Sequence, residues 1–108
     1  SNSLAPETLE ILEKLDEPVA ATYFYSTNTN TAGAEDLLLK FKSNSNGNFN
    51  YTLVNSDNDP VAARQAGVTG DSTIVLQKGE FTEIAKGKNE LDNYFRKIKR
   101  WLSQRKLT

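Results

Sequence analysis

The residue types that most often carry catalysis are absent from this chain of 108 residues. It contains no cysteine, no histidine and no methionine, which removes thiol nucleophiles, imidazole bases and soft metal ligands together. Ser72 can be considered as a nucleophile, but the chain has no histidine to activate its hydroxyl group. The composition therefore excludes thiol redox chemistry and favours a protein that binds rather than catalyses.

Two groups of acidic residues could in principle supply carboxylate chemistry. Asp57 and Asp59 offer oxygen ligands of the kind that calcium prefers, but the distal carboxylate of a complete site is not evident. Helix capping explains the pair better, because Pro60 follows directly and favours the first turn of a helix. The other group consists of Glu7, Glu10, Glu13 and Asp16. Its members fall on the outer face of a predicted amphipathic helix, so solvation explains them better than acid–base catalysis.

Length and composition predict one domain that spans residues 1–108. A chain of this length has no room for a second independent core. Its 37% hydrophobic and 25% charged residues are typical of globular domains. No run approaches the roughly 18 to 20 apolar residues that span a bilayer.

The net charge of −1 hides an uneven distribution of charge. Residues 88–106 contain seven Lys or Arg residues against Glu90 and Asp92, while the remainder has six basic and twelve acidic residues. A solvated helix face that complements an acidic body is the simplest interpretation, and contact with a membrane surface or nucleic acid is the alternative. The aromatic residues are not interleaved with the basic ones on one face, which argues against a single-stranded nucleic acid partner. Trp101 in this segment is expected to pack in the core.

Hydrophobic periodicity predicts four helices and four strands. The helices are expected over 6–15, 34–42, 61–67 and 89–104, and the strands over 18–25, 49–54, 72–77 and 81–85. The first strand is nearly continuous in apolar and aromatic residues, as a central strand buried on both faces is. A tight turn at Lys78, Gly79 and Glu80 predicts that the last two strands pair antiparallel.

This order of elements predicts an α/β fold. Short right-handed crossovers would place the first three strands in a mostly parallel sheet, and the final hairpin would add an antiparallel edge. Helices would then cover both faces. The expected architecture is a three-layer sandwich around a mixed four-stranded sheet.

The same order resembles that of the thioredoxin fold, and one segment strengthens the likeness. The stretch AGVTGDSTIVLQKGE at 66–80 is similar to the thioredoxin segment that passes through the cis-proline into the terminal hairpin. Where thioredoxins have that proline, this chain has Ser72, and where they have C-x-x-C, it reads STNTNT. Both halves of the redox site are thus missing. We predict that the Asp71–Ser72 peptide is trans, because a cis bond before a residue other than proline costs about 2.5–4 kcal/mol.

A narrower resemblance covers nearly the whole chain. The patterns SLAPET, LDEPVAATYFYS and GVTGDSTIVLQKG, with an Asp-Pro helix before the last, resemble one known family. It is the thioredoxin-like extracytoplasmic domain of the auxiliary component of gliding-motility-type ABC transport systems. In that family a membrane helix precedes the domain and a larger domain follows. The resemblance implies a fragment of a membrane-tethered bacterial protein, on the periplasmic or cell-surface side of the inner membrane, with Ser1 and Asn2 interpreted as a tag remnant.

The thioredoxin likeness also indicates where a peptide, glycan or protein partner could bind, although a solvent-exposed connection is the simpler interpretation of the loop after the first strand. Thioredoxin-like folds present ligands near the loop that here consists of Ser26, Thr27, Asn28, Thr29, Asn30 and Thr31. Gly70, Asp71 and Ser72 are expected beside it, where an exposed backbone could pair with an extended segment. A trans bond at Ser72 would remove the usual peptide-binding geometry. Partner contact would then move to the terminal helix, at Lys97, Arg100 and Arg105.

Two functions follow from these observations, and an enzyme is the third class. The first is a non-catalytic, redox-inactive assembly domain of the transport system, which contacts other domains or subunits and needs no cofactor, metal or nucleic acid. The second is a free-standing redox-dead thioredoxin-like adaptor in the cytoplasm. A membrane helix just upstream of Ser3 in the parent protein would distinguish the first from the second. An enzyme would need a cofactor or substrate to supply the chemistry that the side chains lack.

Overall fold

A mixed four-stranded sheet organises residues 3–105, the part of the chain that the computed structural model describes. Along the chain the elements are α1 (Pro6–Lys14), β1 (Val19–Tyr25), α2 (Ala32–Ser43), β2 (Phe49–Asn55), α3 (Pro60–Gln65), β3 (Thr73–Lys78), β4 (Phe81–Ala85) and α4 (Lys88–Arg105). All eight predicted elements are present, and their bounds differ from the predicted ones by at most two residues. Ser1 and Asn2 lie outside the described residues.

The strands lie in the order β2-β1-β3-β4. β1 pairs parallel with β2, whereas β3 runs antiparallel to both β1 and β4. The antiparallel pairing of β3 with β4 was predicted, but the mostly parallel arrangement of the first three strands is wrong.

The short α3 agrees with the direction of β3. Gly67 has a positive φ of 75°, and the Val68 N–H bonds back to the Ala63 carbonyl at 3.0 Å, which ends the helix after six residues. Such a helix advances about 9 Å, whereas the seven residues of β2 extend about 23 Å. α3 alone is therefore too short to carry the chain back along β2, and β3 begins at the end of the sheet where β2 finishes.

One face of the sheet carries the main hydrophobic core. Phe41 of α2, Phe49 of β2 and Phe95 of α4 are completely buried or nearly so. Their ring centroids lie 5.4, 5.4 and 6.1 Å apart, within the range in which aromatic pairs stabilise each other. This aromatic triad joins two helices to the sheet.

Helices lie on both faces of the sheet, but they cover the two faces unequally. The buried apolar side chains of α1, α2 and α4 belong to the core on one face. On the opposite face, the buried residues Phe24 and Thr73 lie at one end of the sheet. The β2–β3 connection, which contains α3 and its buried Ala63, lies at that end. The other end of that face is exposed at Ala20, Asn50, Gln77 and Thr82.

Polar contacts attach α1 to α4. The buried hydroxyl group of Thr8 donates to Asp92 Oδ1 at 2.7 Å. Glu7 accepts hydrogen bonds from Lys99 at 3.3 Å and from Arg96 at 3.5 Å. These two cations lower the pKa of Glu7 below its ordinary value, and Lys99 has the larger effect. Solvation alone, as predicted from the sequence, is therefore an incomplete account of Glu7.

The chain enters β3 through a left-handed corner. The Asp71–Ser72 bond is trans, as predicted, and Ser72 has a φ of 54°, a region that residues with a Cβ seldom adopt. The Ser72 hydroxyl group accepts a hydrogen bond from the Tyr23 hydroxyl group at 3.2 Å. Sequence analysis did not predict the left-handed conformation.

A buried hydroxyl group without a partner lies on α4. Tyr94 is 4% exposed, and its Oη atom has no hydrogen-bond partner among the described residues. Burial, together with the negative charges of Glu83 and Glu17, raises the pKa of Tyr94 to about 12. The hydroxyl group therefore stays protonated in the folded protein at pH values where an exposed tyrosine ionises.

We expect Ser72→Gly to be more stable than Ser72→Ala by about 1 kcal/mol, because glycine adopts the left-handed region without the penalty that alanine pays. Both variants lose the hydroxyl group that contacts Tyr23, so that loss cancels in the comparison. Urea denaturation of the two variants gives the difference. Equal stabilities, or a more stable alanine variant, would contradict the left-handed corner.

Tyr94→Phe should equal or exceed the wild type in stability at pH 8, because the hydroxyl group that it removes has no hydrogen-bond partner among residues 3–105. Between about pH 10 and 12 the unfolded tyrosine loses its proton while the folded one keeps it, so the stability of the wild type falls as pH rises. The variant lacks this contribution, and its advantage should grow by pH 11. Urea denaturation at both pH values measures the change, with Tyr51→Phe on β2 as the control for a partly exposed ring. An advantage that does not grow with pH is the contrary result.

Candidate functional site

One candidate site lies at the end of the sheet where β1 finishes and β3 begins. Phe24 of β1 pairs with Thr73 of β3, so the loop after Tyr25 and the residues before Thr73 leave the sheet side by side. The structure thus brings together two of the predicted segments, residues 26–31 and Gly70–Ser72. These two segments are named the rim.

Hydrogen bonds hold the first half of the rim loop. The Thr29 N–H donates to the Ser26 carbonyl at 3.0 Å, and the hydroxyl groups of the same two residues lie 2.9 Å apart. The Thr27 N–H donates to Asp57 Oδ2 at 2.8 Å, and Asn55 Nδ2 donates to Thr27 Oγ1 at 3.3 Å. The loop is therefore attached to the connection between β2 and α3.

The second half of the loop starts α2. The Ala32 N–H donates to Asn30 Oδ1 at 3.1 Å, and the Thr31 hydroxyl group donates to Glu35 Oε2 at 2.6 Å. Asn28 is exposed, and its side chain forms no hydrogen bond with the described residues. The loop thus presents one amide group whose donors and acceptor are available.

Three residues that sequence analysis did not select lie beside the rim. The ring of Tyr23, whose hydroxyl group contacts Ser72, stacks on the ring of Tyr25 with centroids 5.8 Å apart. Lys86 Nζ donates to Thr73 Oγ1 at 2.5 Å. The register of β3 with β4 pairs Ile74 with Ala85 and so places Lys86 beside Thr73. This pairing is the signal that could have identified Lys86 once the hairpin was predicted.

The groups of the rim can bind but show no activated nucleophile. The Ser72 hydroxyl group contacts another hydroxyl group, that of Tyr23, rather than a base that could remove its proton. The Lys86 ammonium group is hydrogen-bonded to Thr73. What the rim offers is a set of hydroxyl, amide and backbone groups with the carboxylate of Asp71, which suits recognition by hydrogen bonding.

The acidic pair before α3 has structural partners. Asp59 Oδ1 accepts a hydrogen bond from the Ala62 N–H at 3.1 Å, which confirms the predicted helix cap. Asp57 instead holds the rim loop through Thr27, a role that sequence analysis did not foresee. Within residues 3–105 no group of three or more acidic side chains is arranged to hold a metal ion.

A second candidate site lies between β4 and α4. Lys97 and Arg100 line a groove of about 340 Å³ together with Glu83, Ile84, Glu90, Asn93 and Arg96. This groove is named the α4 groove. Lys97 Nζ donates to both carboxylate oxygens of Glu83, at 2.9 and 3.0 Å. Arg105 is the last residue of α4, and its side chain lies outside the described part of the structure.

An aromatic pair lies at the surface near the end of α4. Trp101 is 38% exposed, so its expected position in the core is wrong. Its ring lies 5.7 Å from that of Phe81, centroid to centroid, and 5.6 Å from Lys78 Nζ. Lys78 also pairs with Glu17. This cation–π contact holds Trp101 on the surface beside β4.

Among residues 3–105, none of the helices has the length and apolar character required to cross a bilayer.

Solved structures with a thioredoxin fold match most of the chain. Mitochondrial thioredoxin 3 from Saccharomyces cerevisiae aligns with a TM-score of 0.56 and 17% identity, over 84% of this chain and 87% of that protein. Thioredoxin-2, described as a component of malaria parasite protein secretion machinery, gives 0.58 and 18%, over 77% and 85%. The N-terminal domain of Synechococcus elongatus SasA gives 0.57 and 15%, over 94% and 93%. These alignments confirm the predicted thioredoxin-like fold.

The sequence itself matches one family. No curated protein matches it significantly. The family model described as Domain of unknown function (DUF7088) matches residues 1–97, a range that contains both segments of the rim and all four strands. The protein with this cysteine-free rim on a thioredoxin-like fold therefore belongs to the DUF7088 family.

Proposed function

We propose that this domain is a redox-inactive binding module that assembles with protein partners in a bacterial membrane transport complex. In this proposal it belongs to the auxiliary component of a gliding-motility-type ABC system. The rim is the observation that carries the proposal. It occupies the sheet end at which the thioredoxin likeness puts the redox loop, yet it holds hydroxyl and amide groups instead of thiols.

The order of the rim loop supports binding rather than chemistry. Asp57 and Asn55 both bond to Thr27, so these contacts order the loop in the free protein. The entropy cost of ordering the loop on binding is therefore smaller. Asn28 is then presented on a rigid support with its side-chain amide group available. Such a loop suits the recognition of a protein surface.

The absence of catalysis belongs to the same proposal. The Ser72 hydroxyl group is hydrogen-bonded to that of Tyr23, and the chain contains no histidine or cysteine. The domain is proposed to act without a cofactor and without binding nucleic acid.

The proposed place in a transport system rests on the patterns SLAPET, LDEPVAATYFYS and GVTGDSTIVLQKG. They support a position on the extracytoplasmic side of the membrane, with a tether in the parent protein and with other domains or subunits of the complex as partners. The same rim is compatible with a free-standing adaptor in the cytoplasm. The parent protein in its own cell is therefore the right material for a test.

A photocrosslinking amino acid at position 28 of the parent protein should form adducts with a membrane-bound subunit of the transport complex. The same amino acid at position 43 is the matched control, because Ser43 is also exposed but ends α2 at the far side from the rim. Mass spectrometry of the adducts identifies the partner. Adducts with cytosolic proteins only would support the adaptor instead, and equal adducts from both positions would contradict the rim as the binding surface.

We expect no thiol–disulfide reductase activity, because the chain has no sulfur nucleophile. In an insulin reduction assay with dithiothreitol, the rate should be the same with and without the purified domain. A dose-dependent increase in rate would refute the redox-inactive part of the proposal.

A further inference from the structure

We propose that the free edge of β4 binds an extended protein segment as a fifth strand, and that Arg100 in the α4 groove pairs with an acidic side chain of that segment. The proposal goes beyond the function given above, because it concerns a different surface and needs neither the rim nor a transport complex.

The first step concerns the backbone of β4. Lys78 and Phe81 flank the two-residue turn of the hairpin and pair with each other, so their backbone groups bond to each other across the ladder. Along an antiparallel pair, residues whose N–H and C=O groups bond to the neighbouring strand alternate with residues whose groups point away from it. The N–H and C=O groups of Thr82 and Ile84 therefore point away from β3, toward the free edge.

Nothing in the described part of the chain covers this edge. β4 is the outer strand of the sheet, and Thr82 and Ile84 form no backbone hydrogen bonds outside the sheet ladder among residues 3–105. The strand FTEIA contains no lysine or proline, the residues that commonly protect an edge. Phe81 and Ile84 are 67% and 42% exposed, so the edge also offers apolar surface.

The second step concerns charge in the adjoining α4 groove. Lys97 is paired with Glu83, and Arg96 bonds to Asn93 at 2.6 Å and to Glu7 at 3.5 Å. Arg100 is exposed and forms no hydrogen bond or ion pair with the described residues. Its guanidinium group is therefore available, and a carboxylate is the group that it binds best, through two parallel hydrogen bonds.

The two steps together define the partner. Side chains of an added strand alternate between the two faces of the sheet, so every second one lies on the side of α4. An acidic residue at such a position faces the α4 groove that Arg100 lines. The fitting partner is an extended segment with β-branched residues and an acidic side chain on the α4 side.

A second copy of this chain fits the same edge less well. Two-fold pairing through β4 would bring α4 close to its own symmetry mate. Residues 96–105 contain five Lys or Arg residues and no acidic residue, so the two helices would repel each other. The charge of α4 therefore favours an acidic partner over self-association.

The free protein provides the first test. In amide hydrogen exchange by NMR, the N–H groups of Thr82 and Ile84 should exchange much faster than those of Glu83 and Ala85, which bond to β3. Protection of Thr82 and Ile84 in the monomer would overturn the proposal, because the edge would already be occupied.

Titration with a peptide tests the partner chemistry. The probe is the blocked peptide Thr-Val-Glu-Val-Thr, and its counterpart has lysine in place of glutamate. The glutamate peptide should shift the amide signals of Thr82 and Ile84 at millimolar concentration and slow their exchange. It should bind about fivefold more tightly than the lysine peptide, the size of one partly exposed ion pair. Equal binding of the two peptides, or shifts elsewhere only, would refute the proposal.

Charge reversal supplies the matched control. Arg100→Glu should reverse the preference, so that the lysine peptide binds more tightly. Arg64→Glu makes the same change at an exposed residue of α3 and should leave the preference unchanged. Among residues 3–105 neither the Arg100 nor the Arg64 side chain forms a hydrogen bond or ion pair, so both variants should stay close to the wild-type melting temperature. An unchanged preference in Arg100→Glu contradicts the proposal, as does a dimer in sedimentation equilibrium with Thr82 and Ile84 protected. Neither result bears on the rim, which the crosslinking experiment tests separately.

Discussion

The packing of Phe41, Phe49 and Phe95 in one contiguous cluster is the contact on which the rest of the structure depends. The three rings come from α2, β2 and α4, and burial of each contributes about 1.5–3 kcal/mol. Because α2 starts at the rim and α4 forms one wall of the α4 groove, this cluster positions both candidate sites. A helix that shifted on the sheet would move the site attached to it, since a close-packed core allows few alternative arrangements.

The rim and the α4 groove use different chemistry on the same scaffold. The rim presents mainly hydroxyl and amide groups, together with the carboxylate of Asp71, and Asp57 holds Thr27 from the neighbouring connection. Binding there should depend mainly on hydrogen-bond geometry. The α4 groove carries the available charge of Arg100, so an ion pair formed in it is screened as ionic strength rises. A single domain can thus contact two partners that differ in chemical character.

The rim is ordered although it contains neither the C-x-x-C thiols nor the cis-proline of thioredoxins. Ser72 adopts a left-handed conformation with a trans peptide bond before it, and Tyr23 holds its side chain. The loop after β1 keeps its place because Asp57 and Asn55 bond to it from the neighbouring connection. What remains is an ordered polar surface in the place where the likeness locates catalysis, which is the physical basis for proposing that the domain binds.

The sequence by itself determined the eight elements, the cap at Asp59 and the trans bond before Ser72, because these depend on residues within a turn or a strand of one another. Only the tertiary structure decided the direction of β3, because no local pattern tells at which end of the sheet the connection after β2 re-enters it. It also decided that Lys86 lies beside the rim and that Trp101 stays at the surface on Phe81 and Lys78. These outcomes depend on which strands pair and which side chains meet across the sheet, and contacts between residues far apart in the chain leave no local pattern in the sequence.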